Sequence, residues 1–112
     1  MDDGPSDLTL ADVLDAADEG VDGVNVVTDE GVTTWSVGSV PFAVLEGSGA
    51  SFRLDPLVAA AALRTPDTGA SPRGADWVSF SPSIVDDLAI DRAEAWFLSA
   101  ARRASSARSR NH

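Results

Sequence analysis

Apolar residues recur along this chain with two different periods, and the changes of period mark its elements. Leu10, Val13, Leu14 and Ala17 fall at helical spacing, and Asp12, Asp15, Asp18 and Glu19 lie mostly on the opposite side. Thr9 precedes this stripe with Asp12 three residues on, the spacing of a capping box, and Gly20 and Gly23 close it. From Val24 the period falls to two. Val24–Thr28 is a brief β-branched run ended by the turn Asp29-Glu30-Gly31. Val32–Val37 alternates, with Trp35 and Val37 on one side and Thr34 and Ser36 on the other. Gly38-Ser39 reads as a tight turn and Gly47-Ser48-Gly49 as a hairpin turn. Between them, Phe42–Leu45 is apolar on both faces, which predicts a central strand covered on each side or set against a partner. Pro41 belongs at that strand's start or edge, because it has no N–H to give to a ladder.

Phe52 and Leu54 point inward from the next strand and Arg53 points outward. Asp55-Pro56 then opens a helix, with Asp at the cap and Pro where a missing N–H costs nothing. That helix runs on an alanine-rich stretch and stops before Pro66. Pro66–Gly74 reads as a loop. Trp77–Phe80 is a last strand, with Val78 and Phe80 on one face and Trp77 and Ser79 on the other. Asp91 and Glu94 have capping-box spacing before a final helix carrying Ala93, Trp96, Phe97, Ala100 and Ala104, and Trp96 and Phe97 are expected in the core. The order α-β-β-β-β-α-β-α predicts an α+β domain, an antiparallel sheet with helices packed on one face. Residues 1–7 are expected to be a flexible lead-in, 8–104 the domain, and 105–112 a flexible Ser/Arg tail.

Charge changes this picture more than composition does. All eight cations are Arg, against 18 acids, for a net charge of −10. Residues 1–30 hold ten acids and no base, while residues 99–112 hold four Arg and no acid. Most of this surface repels a polyanion, and only the C-terminal segment attracts one. No apolar run is long enough to span a membrane, and the first residues lack the pattern of a signal peptide. A cytoplasmic location and no membrane partner are expected.

The residues for catalysis are scarce. There is no Cys, Lys or Tyr, and the one His is the last residue, His112. No base suited to neutral pH remains beyond a deeply buried carboxylate, and no phosphate-binding glycine loop or nucleophile motif is present. The chain is therefore expected not to be an enzyme and to need no cofactor. Asp15, Asp18 and Glu19, and again Asp86, Asp87 and Asp91, are carboxylate groupings of the kind hard cations favour. They read more simply as a solvated acidic face and a helix start, and no metal is expected.

Several stretches together carry a family resemblance. They are Val37-Gly38, Phe42-Ala43-Val44-Leu45, Phe52-Arg53-Leu54-Asp55-Pro56, the alanine-rich helix, Arg73-Gly74-x-x-Trp77-Val78, and a closing helix with Glu94, Trp96 and Ser99. Over residues 8–104 this ordered set resembles the MmcQ/YjbR-like family, whose fold is related to the type III secretion chaperones. The resemblance implies a small binding protein, described for the family as predicted DNA-binding through a double-wing arrangement of hairpins, with no agreed substrate, cofactor or catalytic residue. Members often carry a basic residue in the turn after Val-Gly; here it is Ser39.

Two functions follow. One is DNA binding, for which Arg53, Arg73, Arg92, Arg102 and Arg103 would have to form a positive patch. The other, favoured by the acidic surface, is a protein partner or homodimer held on the open sheet face around Trp77, with Arg53 and Arg73 beside it.

Overall fold

The computed structural model of the protein describes residues 9–110, with side chains through Ser106. In chain order the elements are α1 (Leu10–Asp18), β1 (Val24–Asp29), β2 (Val32–Val37), β3 (Val40–Glu46), β4 (Gly49–Arg53), α2 (Pro56–Ala62), β5 (Thr68–Ala70), β6 (Trp77–Phe80) and α3 (Asp87–Arg110). The α+β class and the expected order hold, with the three-residue β5 added inside the Pro66–Gly74 segment. All strands join one antiparallel sheet in the order β1-β2-β3-β4-β6-β5.

Local chemistry sets the boundaries. The Thr9 hydroxyl accepts from Asp12 N at 3.2 Å, and Thr9 N donates to the Asp12 carboxylate at 3.0 Å, so both halves of the capping box form. Glu30 and Gly31 both have positive φ, 53° and 82°, as a type I′ turn between β1 and β2 requires. The next two hairpins place Gly38 and Gly47, φ 60° and 63°, at their first central positions.

Two features explain the apolar run in β3. Opposite Trp35 lies Ala43, and opposite Ser36 lies Pro41, so Phe42 is an extra residue in a β-bulge. The bulge lets Phe42 and Ala43 both be fully buried although they are neighbours in sequence. Pro41 sits beside the bulge near the strand's start, where the ladder can spare an N–H. Val44 faces the other way and is buried as well, so this central strand is covered on both faces.

The core lies between the sheet and α1 and α3. Phe97 at the centre of α3 meets Trp35 and Phe42 edge-on, with centroids 5.7 and 5.1 Å away. Trp96 packs on Phe80 and Phe52. Helix α3 starts earlier than its capping-box spacing implied. Asp86 Oδ1 accepts from Ala89 N at 2.9 Å and caps the helix, which leaves Asp91 and Glu94 exposed within it. At the other end, the segment expected to be a flexible tail is helical through Arg110. The expected lead-in, residues 1–7, lies outside the described residues.

Candidate functional site

Hairpin tips are where a double-wing DNA reader would make contact. Val32 pairs with Glu46, which sets the β1–β2 and β3–β4 turns side by side at one end of the sheet. Those tips carry Asp29, Glu30 and Glu46 and no cation. Arg73 reaches this end of the sheet, where it pairs with Glu46 at 3.5 Å. A phosphate backbone laid across these tips would meet acids at each contact.

The open face around Trp77 is partly closed by the chain itself. Arg53 and Trp77 are cross-strand partners there, as their alternation predicted. Ser71, buried, accepts from Arg73 N at 3.2 Å and lies 3.4 Å from the Ser51 hydroxyl. The Arg73 guanidinium then reaches from the β5–β6 connection to Glu46 on β3, lining a small depression with Val44, Ser51 and Ser79. The loop also packs on the indole: a Cβ at Gly74 would lie 3.2 Å from Trp77 Cδ1. Trp77 is half-buried, and the large exposed apolar residues lie elsewhere, at Val26, Val27, Leu57, Leu63, Ile84 and Leu88.

Three of the six candidate residues come together at the opposite end of the sheet. Arg53, Arg102 and Arg103 line a half-open cleft of about 580 Å³ between the start of β3, the end of β4, α2 and the last turns of α3. Its walls include Val40, Pro41, Phe42, Val58, Ala100 and Ala104. Arg103 is held firmly. Its Nε donates to Asp55 at 3.0 Å and its Nη2 to Asp76 at 3.1 Å. Among the described residues no carboxylate pairs with Arg53 or Arg102. Arg92, half-buried on α3, and Arg73 with Trp77, on the open face, do not join this cleft. Val40, Val58 and Ser99 were not legible as site residues, because the cleft draws on four elements distant in sequence.

The carboxylates form no comparable site. Among the described residues, no group of three His, Asp or Glu side chains is placed to hold a metal ion. Burial, and then the charges of Asp15 and Glu19, raise the pKa of Asp18 at the end of α1.

One further feature is the edge of the sheet. β5 is too short to offer much, but β1 presents six residues with no pairing partner on its outer side among those described. Val26 is 44% exposed and Val27 61% exposed, on opposite faces of the strand. Asp22 stands before it, Asp29 is its last residue and Glu30 follows. The signal in sequence was a β-branched run with no Lys, Pro or bulge to guard an edge. No family profile, no curated protein and no solved structure matches this chain.

Proposed function

We propose that this protein is a non-enzymatic interaction module that receives an extended, basic segment of a protein partner along the outer edge of β1. The observation that carries the reading is that edge: about 20 Å of backbone with no pairing partner among the described residues, with exposed valines at its centre and acids at both ends. Strand addition supplies affinity through main-chain hydrogen bonds, and the valines and acids supply selectivity. The acids favour a basic strand over a second copy of this chain, whose own net charge is −10. DNA binding, which the MmcQ/YjbR-like resemblance suggests, has the acidic hairpin tips against it.

The test uses a labelled heptapeptide, Lys-Val-Thr-Val-Thr-Val-Lys, a second peptide with Glu in place of both Lys, and a third with Pro at the centre. Binding of the first alone, with amide shifts confined to residues 24–29 and lost in Val27→Lys, is the expected result. Equal binding of all three peptides, or none by any, overturns the reading. A duplex DNA titration at two low salt concentrations runs alongside. Salt-sensitive DNA binding that Arg102→Ala/Arg103→Ala removes would restore the DNA function instead.

A further inference from the structure

The arginine-lined cleft lies at the end of the sheet away from the hairpin tips and plays no part in strand addition. Its size falls within the range of small-molecule sites, roughly 300–1,000 Å³. Its composition is divided. Val40, Pro41 and Val58 supply an accessible apolar wall over the buried Phe42, Ala100 and Ala104, and the polar groups are three arginines with Asp55, Ser99 and Ser106. The three arginines differ in what they can do. Arg103 is fixed by Asp55 and Asp76, and its charge is answered by both. It serves as a rigid wall. Arg53 and Arg102 enter the same cleft from β4 and α3 without a carboxylate partner among the described residues.

On a chain of net charge −10, two guanidinium groups with no carboxylate partner among the described residues, beside an apolar wall, are an unusual combination. A guanidinium matches a carboxylate with two parallel hydrogen bonds, and an apolar body gains by leaving water. A neutral apolar ligand would leave both arginines without a partner. A cationic ligand would be repelled by them. A duplex is too wide to enter a concave site of this size, so its phosphates could meet only the rim.

We propose that this cleft binds a small amphipathic carboxylate, with the carboxylate on Arg102 and Arg53 and the apolar body against Val40, Pro41 and Val58. Arg102, the more exposed of the two, is the outer contact, and Arg53 stands at the sheet end of the cleft. Asp55, next to Arg53 but one residue, stays neutralised by Arg103 and does not compete with the ligand.

The experiment is calorimetric titration of the full chain with decanoate below its micelle concentration, with decanol and decyltrimethylammonium as matched controls. Decanoate should bind with one-to-one stoichiometry, at least tenfold more tightly than decanol, with no saturable binding of the cation. Arg102→Ala and Arg53→Gln should each weaken decanoate about tenfold and leave decanol unchanged. Val58→Phe, which fills the cleft, should abolish binding of both. Arg64→Ala, just past the end of α2 and outside the lining of the cleft, should change nothing. Circular dichroism of each unliganded variant establishes that it is folded, and Arg102 is exposed enough that its loss leaves the core untouched. Equal binding of decanoate and decanol, uptake without saturation, or full affinity in Arg102→Ala and Val58→Phe would overturn the proposal.

Discussion

Arg103 takes the carboxylate of Asp55 that would otherwise cap α2. Its Nε donates to Asp55 Oδ1 at 3.0 Å, and Asp55, although at the N-cap position, makes no side-chain hydrogen bond to the helix it precedes. The same guanidinium donates to Asp76 at 3.1 Å, and Leu54 N donates to Asp76 O at 2.9 Å. One side chain of α3 thereby ties the exit of β4 to the entry of β6. Arg103→Ala should lower stability by about 1–2 kcal/mol, more than a single exposed ion pair, because two charge-assisted bonds are lost from a partly shielded fork. Arg103→Lys should recover less than half, since a point charge cannot keep both directions. Arg102→Ala, on the adjacent exposed position, should stay within about 0.5 kcal/mol of the parent. Urea denaturation of the three variants decides this.

Glu30 is in a conformation that suits it poorly. Its φ of 53° lies in the left-handed region, where a side chain without a local hydrogen bond is strained. Asn-Gly is the favoured pair for a type I′ turn, so Glu30→Asn should raise stability by about 0.5–1 kcal/mol while keeping the register of β1 on β2. The same change removes one acid from the β1 edge. It should therefore weaken the Lys-flanked heptapeptide slightly while raising the melting temperature, and a thermal scan beside the peptide titration separates the two effects.

Much of the fold was legible because local chemistry and tertiary structure agree. The Thr9–Asp12 box, the inward Trp35 and Val37, and the Pro56 helix start all needed only neighbours in sequence. What was hidden depended on distant partners. β5 is Thr-Gly-Ala, which has no strand signature and exists because Gly69 and Ala70 pair with Ser79 and Val78. The run Phe42–Leu45 gave the right expectation of a covered strand, but the bulge and the Arg73–Glu46 contact that produce it are not local. The start of α3 was displaced because Asp91 and Glu94 have capping-box spacing, while Asp86 caps the helix more than a turn earlier. Convergence of Arg53 with Arg102 and Arg103 needed the crossing of α3 over the sheet, which no spacing encodes.

Trp35 is completely buried, yet its indole N–H has no hydrogen-bond partner among the described residues. Trp35→Phe therefore involves two opposed effects. The smaller ring forfeits packing and leaves a small cavity, together about 1.5–2 kcal/mol. It also removes a buried donor whose desolvation costs about 1–3 kcal/mol. The net change should lie within about 1 kcal/mol of zero. Phe97→Ala, which loses an aromatic group meeting both Trp35 and Phe42, should cost about 3–5 kcal/mol. Chemical denaturation of the pair checks this, and a loss above about 2 kcal/mol in Trp35→Phe would mean that the indole N–H has a partner in solution.

Asp18 ends α1 in a poor place for a negative charge. Burial raises its pKa from the ordinary 3.8, and the charges of Asp15 and Glu19 add to the rise. The helix C-terminus disfavours an anion there too. A carboxyl whose folded pKa lies above its unfolded value binds more protons in the folded state. Its contribution to stability therefore falls as pH rises from 3.8 through the raised value, and the penalty is complete at neutral pH. Asp18→Asn should stabilise the protein by about 0.3–1 kcal/mol at pH 7, and the advantage should vanish as pH drops below 3.8. Added salt screens Asp15 and Glu19 but leaves desolvation in place. The gain from Asp18→Asn should consequently shrink at 0.5 M salt, a test condition near a Debye length of roughly 4 Å, without disappearing. Parallel denaturation curves of parent and variant across pH, at low and high salt, measure both parts. A variant advantage that grows toward acid pH would reverse the sign of the argument and place the origin of the effect outside Asp18.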